Sequence, residues 1–128
     1  MTLAYWCVLI ALFLPYLGTG LAKAVGGGFS PKHNRDPRAL LATLGGLGRR
    51  AHNAQLNGFE VTPAFSAAVI IAHLAGGAEQ ALIDQLAMAF VASRVLYFIC
   101  YLADWAPLRS LVWFAGMGLI ASLFLVAA

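Results

Sequence analysis

Four long apolar stretches, separated by short polar or glycine-rich connections, dominate the pattern of the chain. The predicted membrane spans cover residues 3–25, 56–75, 81–102 and 108–127. Each is close to the roughly 20 apolar residues that one helical span requires. Glycines follow the first two stretches, at Gly26–Gly28 and at Gly76-Gly77. The pattern predicts an all-α, integral membrane four-helix bundle in which residues 1–128 form one transmembrane domain.

The connection between the first and second spans contains a second helix pattern. Asp36 followed by Pro37 is typical of a helix start, with aspartate as N-cap and proline at the first helical position. The leucines that follow, at positions 40, 41, 44 and 47, predict an amphipathic helix that continues into the second span. Between the third and fourth spans, Ala106-Pro107 predicts a tight turn, because the residue before a proline avoids helical geometry.

Composition agrees with a membrane protein, since 62% of the 128 residues are hydrophobic and only 10% are charged. Soluble domains have about 25% charged residues. The net charge of +3 does not indicate a nucleic-acid partner, because the basic residues cluster in the connections between spans. One lies at the end of the first span, five lie between the first two spans, and one lies at the start of the fourth: Lys23, Lys32, Arg35, Arg38, Arg49, Arg50 and Arg109.

This charge asymmetry predicts the orientation of the chain. The connection between the second and third spans, together with the start of the third, carries Glu79 and Asp84 but no lysine or arginine. Since basic residues favour the cytoplasmic side of a membrane, we predict cytoplasmic first and third connections, with both termini outside the cytoplasm.

Two polar stripes interrupt the apolar spans. The first stripe consists of Arg50, Asn53, Asn57 and Glu60, and the second of Arg94, Tyr97, Tyr101 and Asp104. Within each stripe the residues are three, four and three positions apart, which places them on one face of a helix. An ionisable side chain within a membrane is costly, about 2.5–3.5 kcal/mol for arginine at the bilayer centre, and therefore indicates function. We expect the two stripes to meet each other, or a partner subunit, around a zwitterionic or carboxylated ligand, because arginine recognises carboxylates bidentately.

Structural roles for the same residues remain open. Arg94 and Glu60 can pair directly between helices, and Asn57 can join helices through hydrogen bonds alone. Tyr97 and Tyr101 can be packing or interfacial aromatics. Arg49, Arg50 and Arg109 can instead be charges that orient the chain and meet lipid headgroups.

Residues 50–65, reading RAHNAQLNGFEVTPAF, resemble the second-helix signature of the MAPEG family, the membrane-associated proteins in eicosanoid and glutathione metabolism. Residues 94–97, reading RVLY, with Tyr101 and the run APLRS at 106–110, are similar to its third-helix and following-turn signature. The resemblance covers nearly the whole chain. It implies a homotrimer that binds glutathione at each subunit interface, facing the cytoplasm, and acts on a lipophilic small molecule from the membrane lipid.

The resemblance also implies roles for individual residues. Arg109 corresponds to the arginine that stabilises the glutathione thiolate, and Ser110 supplies the adjacent hydroxyl. The implied glutathione-binding residues are Arg50, Asn53, Asn57, Glu60, Arg94, Tyr97 and Tyr101. We expect no metal. The implied activity is that of a glutathione transferase or peroxidase. The resemblance is to a bacterial-type member of the family, for which we expect a location in the inner membrane.

Several positions depart from the family pattern. Relatives carry arginine where this chain has Asn53 and Leu56, and an aromatic hydroxyl where it has Trp113. These differences favour the alternative of a non-catalytic protein of the same fold that binds lipid or supports a membrane complex. A small four-span multidrug transporter is disfavoured, because it requires a carboxylate in the first span and this span has none.

Overall fold

Six helices and no strands make up the computed structural model, which describes all of residues 1–128. The elements are α1 (Leu3–Gly26), α2 (Pro31–Asn34), α3 (Pro37–Thr43), α4 (Gly46–Ala75), α5 (Gln80–Leu102) and α6 (Ala106–Ala127). The four longest, α1, α4, α5 and α6, are long and apolar enough to cross a membrane. The predicted all-α four-helix architecture is therefore confirmed.

Local sequence explains several helix ends. The Thr2 hydroxyl caps the start of α1 by accepting a hydrogen bond from the Tyr5 N–H at 3.4 Å. Asp36 caps α3 as predicted, with its carboxylate accepting from the Ala39 N–H at 3.1 Å and Pro37 at the first helical position. Left-handed glycines, Gly27 and Gly76, terminate α1 and α4.

The predicted continuous helix from Asp36 into the second span is wrong. Helix α3 stops at Thr43, Leu44 is extended with ψ of 146°, and Gly46 has φ of 51°. A positive φ of this size has no steric cost for glycine but is unfavourable for other residues. The chain therefore turns at Gly46, so that α3 packs against α1 and α4 rather than extending α4.

The predicted turn at Ala106-Pro107 is displaced by a few residues. Ala106 is already the first residue of α6, where Pro107 is tolerated because N–H groups in a first helical turn lack intrahelical partners. The chain reverses instead at residues 103–105, with Asp104 at φ of 61°, a conformation that aspartate adopts more readily than most residues. Asp104 therefore lies beyond the end of α5 and does not continue its polar stripe.

Helices α4 and α5 each pack against the three other long helices, whereas α1 and α6 do not contact each other. Phe65 of α4 stacks on Phe90 of α5 with ring centroids 4.0 Å apart. Much of the remaining core consists of alanine, which lets helix backbones approach closely in a membrane protein. Helices α1 and α4 approach closely where Gly58 meets Pro15, since a Cβ atom on Gly58 would lie 2.6 Å from the proline Cγ.

A buried threonine compensates for the proline within α1. Pro15 has no N–H, so the Ala11 carbonyl lacks its usual helical partner. The Thr62 hydroxyl of α4 lies 2.7 Å from the Gly58 carbonyl and 3.3 Å from the Ala11 carbonyl. This contact joins α1 to α4 at the level of the polar stripes.

A polar network closes the opposite end of the bundle. The Asp84 carboxylate accepts hydrogen bonds from the Ala4 N–H at 2.8 Å and from the Gln80 amide at 2.9 Å. The Gln80 carbonyl oxygen in turn lies 2.8 Å from His73 Nδ1. Asp84 therefore stabilises the N-terminus of α1, where a negative charge is favourable.

Candidate functional site

Two cations and two aromatic rings alternate along the side of α5 and continue onto α6. The Arg94 guanidinium lies 4.1 Å from the centre of the Tyr97 ring, and the rings of Tyr97 and Tyr101 meet edge to face at 5.7 Å. The Arg109 guanidinium lies 4.4 Å from the centre of the Tyr101 ring. Both cations are within the range in which a ring face attracts a positive charge. The turn at residues 103–105 makes this possible, because it returns Arg109 to the end of α5.

Asn57 of α4 connects the two polar stripes. Arg94 Nη2 donates a 2.7 Å hydrogen bond to Asn57 Oδ1, while Asn57 Nδ2 donates to Glu60 Oε2 at 3.4 Å. The direct pairing of Arg94 with Glu60 that the sequence left open is not formed. Glu60 lies one helical turn beyond Asn57 and remains exposed, whereas Arg94 is only 7% exposed.

A cavity of about 230 Å³ opens beside these residues. Its lining consists of Asn57, Tyr97, Tyr101, Arg109, Ser110, Trp113 and Phe114. These side chains present a guanidinium, an amide, three hydroxyls and an indole N–H, with no carboxylate among them. A cavity rich in hydrogen-bond donors and containing one fixed cation is suited to an anionic group, and a cation beside a thiol favours its thiolate form.

Some of the implied ligand-binding residues lie outside this cavity. Arg50 Nε donates to the Leu102 carbonyl at 3.1 Å, so it satisfies the C-terminal end of α5. Asn53 is half-buried, and its side chain makes no hydrogen bond. Arg94 lies behind the Tyr97 ring and lines a separate small cavity of about 20 Å³, whereas Glu60 reaches the site only through Asn57.

The site also contains a residue that the sequence analysis overlooked. Phe114 lines the cavity together with Trp113, and both lie on α6 after Arg109 and Ser110. Residues four apart share a helix face, so Arg109 aligns with Trp113 and Ser110 with Phe114. This spacing was visible in the sequence once α6 was known to begin at Ala106.

No group of three or more histidine, cysteine, aspartate or glutamate side chains is arranged to hold a metal ion. The cysteines, Cys7 and Cys100, are free and buried on different helices.

Comparison with known proteins gives one match. A family model described as the MAPEG family matches residues 3–128, which include all four long helices and every residue of the cavity. No curated protein and no solved structure matches the chain significantly.

Proposed function

The chain belongs to the MAPEG family of integral, multi-pass membrane proteins in glutathione and eicosanoid metabolism, and on this basis we propose that it is a glutathione-dependent membrane transferase or peroxidase that acts on lipophilic electrophiles. The position of Arg109 carries the proposal. Its guanidinium is held 4.4 Å from the Tyr101 ring and at the edge of a cavity lined mainly by hydrogen-bond donors.

The chemical groups of glutathione match the side chains around the cavity. Its carboxylates can accept hydrogen bonds from the Asn57 amide, the tyrosine hydroxyls and the Trp113 indole. Its ammonium group requires an acid, which Glu60 supplies at the edge of the site. Arg94 adds a positive charge behind Tyr97, although this guanidinium does not line the cavity itself.

Arg109 and Ser110 are the proposed catalytic residues. A guanidinium beside the glutathione sulfur lowers the pKa of the thiol, so the proton leaves to solvent and the thiolate persists at neutral pH. Ser110 donates a hydrogen bond to the same sulfur. In conjugation, the thiolate attacks an electrophilic carbon, a C–S bond forms, and the leaving group departs with its electron pair. In peroxide reduction, the thiolate attacks one oxygen, the O–O bond breaks, and the other oxygen departs as an alkoxide that takes a proton from solvent to give the alcohol. A second glutathione then attacks the sulfur of the glutathione sulfenic acid, which forms the disulfide and releases water.

We further propose a homotrimer, as the family resemblance implies. Glu60 is exposed on a membrane-spanning helix, where contact of a carboxylate with lipid is costly. On the same face, Ala64 and Ala67 are also exposed, and such small residues are typical of helix interfaces in membranes. A neighbouring subunit on this face would cover Glu60 and complete the site.

The proposed orientation follows from the basic connections, with both termini outside the cytoplasm and the cavity near the cytoplasmic surface. We propose the inner membrane of a bacterium as the location. Glutathione would then enter from the cytoplasm, while the lipophilic substrate would approach from the bilayer past the aromatic rings of Trp113 and Phe114.

A glutathione titration of the purified protein in nanodiscs tests this function, with the ultraviolet absorbance of the bound thiolate as readout. We expect a saturable thiolate band that Arg109→Ala abolishes and Arg109→Lys retains in part. Arg49→Ala is the matched control, because Arg49 is exposed and makes no hydrogen bond. Thermal unfolding of each variant reports folding separately. A full-strength band in folded Arg109→Ala would refute the role of Arg109, and no band in the wild-type protein would refute glutathione activation.

The second candidate is a non-catalytic protein that binds lipid at the same cavity. It is favoured by Trp113 and Phe114, which make one wall of the cavity apolar. In that case a spin-labelled lipid would bind with the same affinity in wild-type protein and Arg109→Ala, and glutathione would cause no thermal shift.

A further inference from the structure

Four exposed cations lie along the connection between α1 and α4 and in the first turn of α4. This basic surface comprises Lys32, Arg35, Arg38 and Arg49, all exposed. None of these side chains makes a hydrogen bond or stacks on an aromatic ring. The other arginines differ, since Arg50 and Arg94 donate to protein oxygen atoms and Arg109 lies on Tyr101. The charge of the basic surface is therefore available to a ligand outside the chain.

Local acids do not neutralise this surface. Asp36 is the only acidic residue between α1 and α4, and its carboxylate already accepts the Ala39 N–H as the cap of α3. An opposing charge must therefore come from another molecule.

The basic surface is carried by folded chain. Leu41 of α3 is 5% exposed and packs in a buried cluster with Ala22 of α1 and Ala51 of α4. His33 of α2 contacts the preceding turn, since its Nδ1 lies 3.0 Å from the Gly27 carbonyl and 3.1 Å from the Ser30 hydroxyl. These contacts hold the backbone of α2 and α3 against the bundle and thereby keep the cations on this side of the molecule.

The location matches the headgroup layer of a membrane. The connection leaves the C-terminal end of α1 and enters the N-terminal end of α4, and both helices are long and apolar enough to span a bilayer. Phe29, at the start of the connection, is 68% exposed. An exposed aromatic ring beside cations is typical of protein segments at a membrane–water interface.

We propose that the basic surface binds the phosphate-bearing headgroups of anionic phospholipids, and that it does so independently of the glutathione site. Lysine and arginine both donate to phosphate oxygens, and arginine can do so bidentately. A cluster of basic residues next to a membrane span attracts anionic lipid by charge, with an attraction that decays over the Debye length.

The experiment compares lipid enrichment around wild-type protein and a charge-removing variant, Lys32→Gln/Arg35→Gln/Arg38→Gln. Each is placed in nanodiscs that contain phosphatidylcholine with a minor fraction of phosphatidylglycerol, and native mass spectrometry counts the retained lipids. Wild-type protein should retain phosphatidylglycerol preferentially, and the preference should fall about 10-fold or more in the variant and with added salt. A charge-preserving control, Lys32→Arg/Arg35→Lys/Arg38→Lys, should retain most of the preference.

Two outcomes would overturn the proposal. One is equal phosphatidylglycerol retention in wild-type protein and the glutamine variant. The other is displacement of the lipid by millimolar inorganic phosphate, which would assign the surface to a soluble anion instead. Nanodiscs expose both membrane faces, so an altered insertion direction does not affect the readout. The residues of the basic surface lie outside the cavity. If the glutathione titration showed no thiolate band, the expected result of the lipid-retention experiment would therefore be unchanged.

Discussion

The guanidinium of Arg94 on α5 donates a 2.7 Å hydrogen bond to the Asn57 side chain on α4. A neutral amide, rather than a carboxylate, therefore receives the buried cation. The amide fixes the guanidinium without cancelling its charge, which remains to attract an anionic ligand. Glu60 is joined to Arg94 only through Asn57, whose Nδ2 donates to Glu60 Oε2 at 3.4 Å.

Asn57→Ala should lower stability by about 1–3 kcal/mol, because it removes the hydrogen-bond partner of a buried charged group. Thermal unfolding in nanodiscs measures this change, and glutathione affinity should fall with it. Asn53→Ala is the matched control one turn earlier on the same helix, where the side chain makes no hydrogen bond. Equal unfolding temperatures for the two variants would contradict the bridging role of Asn57.

Tyr101 should position Arg109 through its ring rather than its hydroxyl. Tyr101→Phe keeps the ring under the guanidinium, so at saturating glutathione it should change the pH midpoint of the thiolate little, although it removes a hydroxyl that can bind a glutathione carboxylate. Tyr101→Leu removes a contact of about 0.5–2 kcal/mol, which corresponds to a loss of about 2- to 30-fold in thiolate stabilisation. The pH dependence of thiolate absorbance checks this, since the midpoint should move upward in Tyr101→Leu. An upward shift of the same size in Tyr101→Phe would assign the effect to the hydroxyl instead.

Gly58→Ala should destabilise the bundle because the added Cβ would lie 2.6 Å from Pro15 Cγ. Overpacking of this kind costs about 1–3 kcal/mol. Gly118→Ala provides the comparison, since nothing lies within 4 Å of a Cβ at that helical position. We expect a lower unfolding temperature for Gly58→Ala and an unchanged or slightly higher one for Gly118→Ala. The reverse order would show that α1 and α4 do not approach each other at Gly58.

Thr62→Val should weaken the contact between α1 and α4, because it removes the only hydroxyl near the carbonyl that Pro15 leaves free. Hydrogen bonds between membrane helices contribute about 0.6 kcal/mol on average and up to about 1.7 kcal/mol. Ser66→Ala is the control, since that hydroxyl donates only within α4, to the Thr62 carbonyl at 2.9 Å. Denaturant unfolding of both variants measures the difference, and a larger loss in Ser66→Ala would contradict this assignment.

Helix boundaries could be predicted where the chain itself supplies the cap. Asp36 and Pro37 predicted the start of α3, and both residues occupy the expected positions. The break at Gly46 could not be predicted from hydrophobic spacing, because the apolar pattern from Leu40 to Leu47 remains helical in period. Packing of Leu41 against α1 and α4 stabilises the turned arrangement, and such contacts between distant residues are not visible in local sequence.

The amino-acid sequence by itself determined the four apolar helices, the basic connection and the two polar stripes, because these follow from length, hydropathy and helical period. Only the tertiary structure decided which polar residues meet. It joined Arg94 to Asn57 instead of Glu60, assigned Arg50 to the end of α5, and returned Arg109 to the Tyr101 ring. These pairings depend on how α4, α5 and α6 pack and on the turn at Asp104. Contacts between side chains on different helices cannot be recognised from the residue spacing within a single helix.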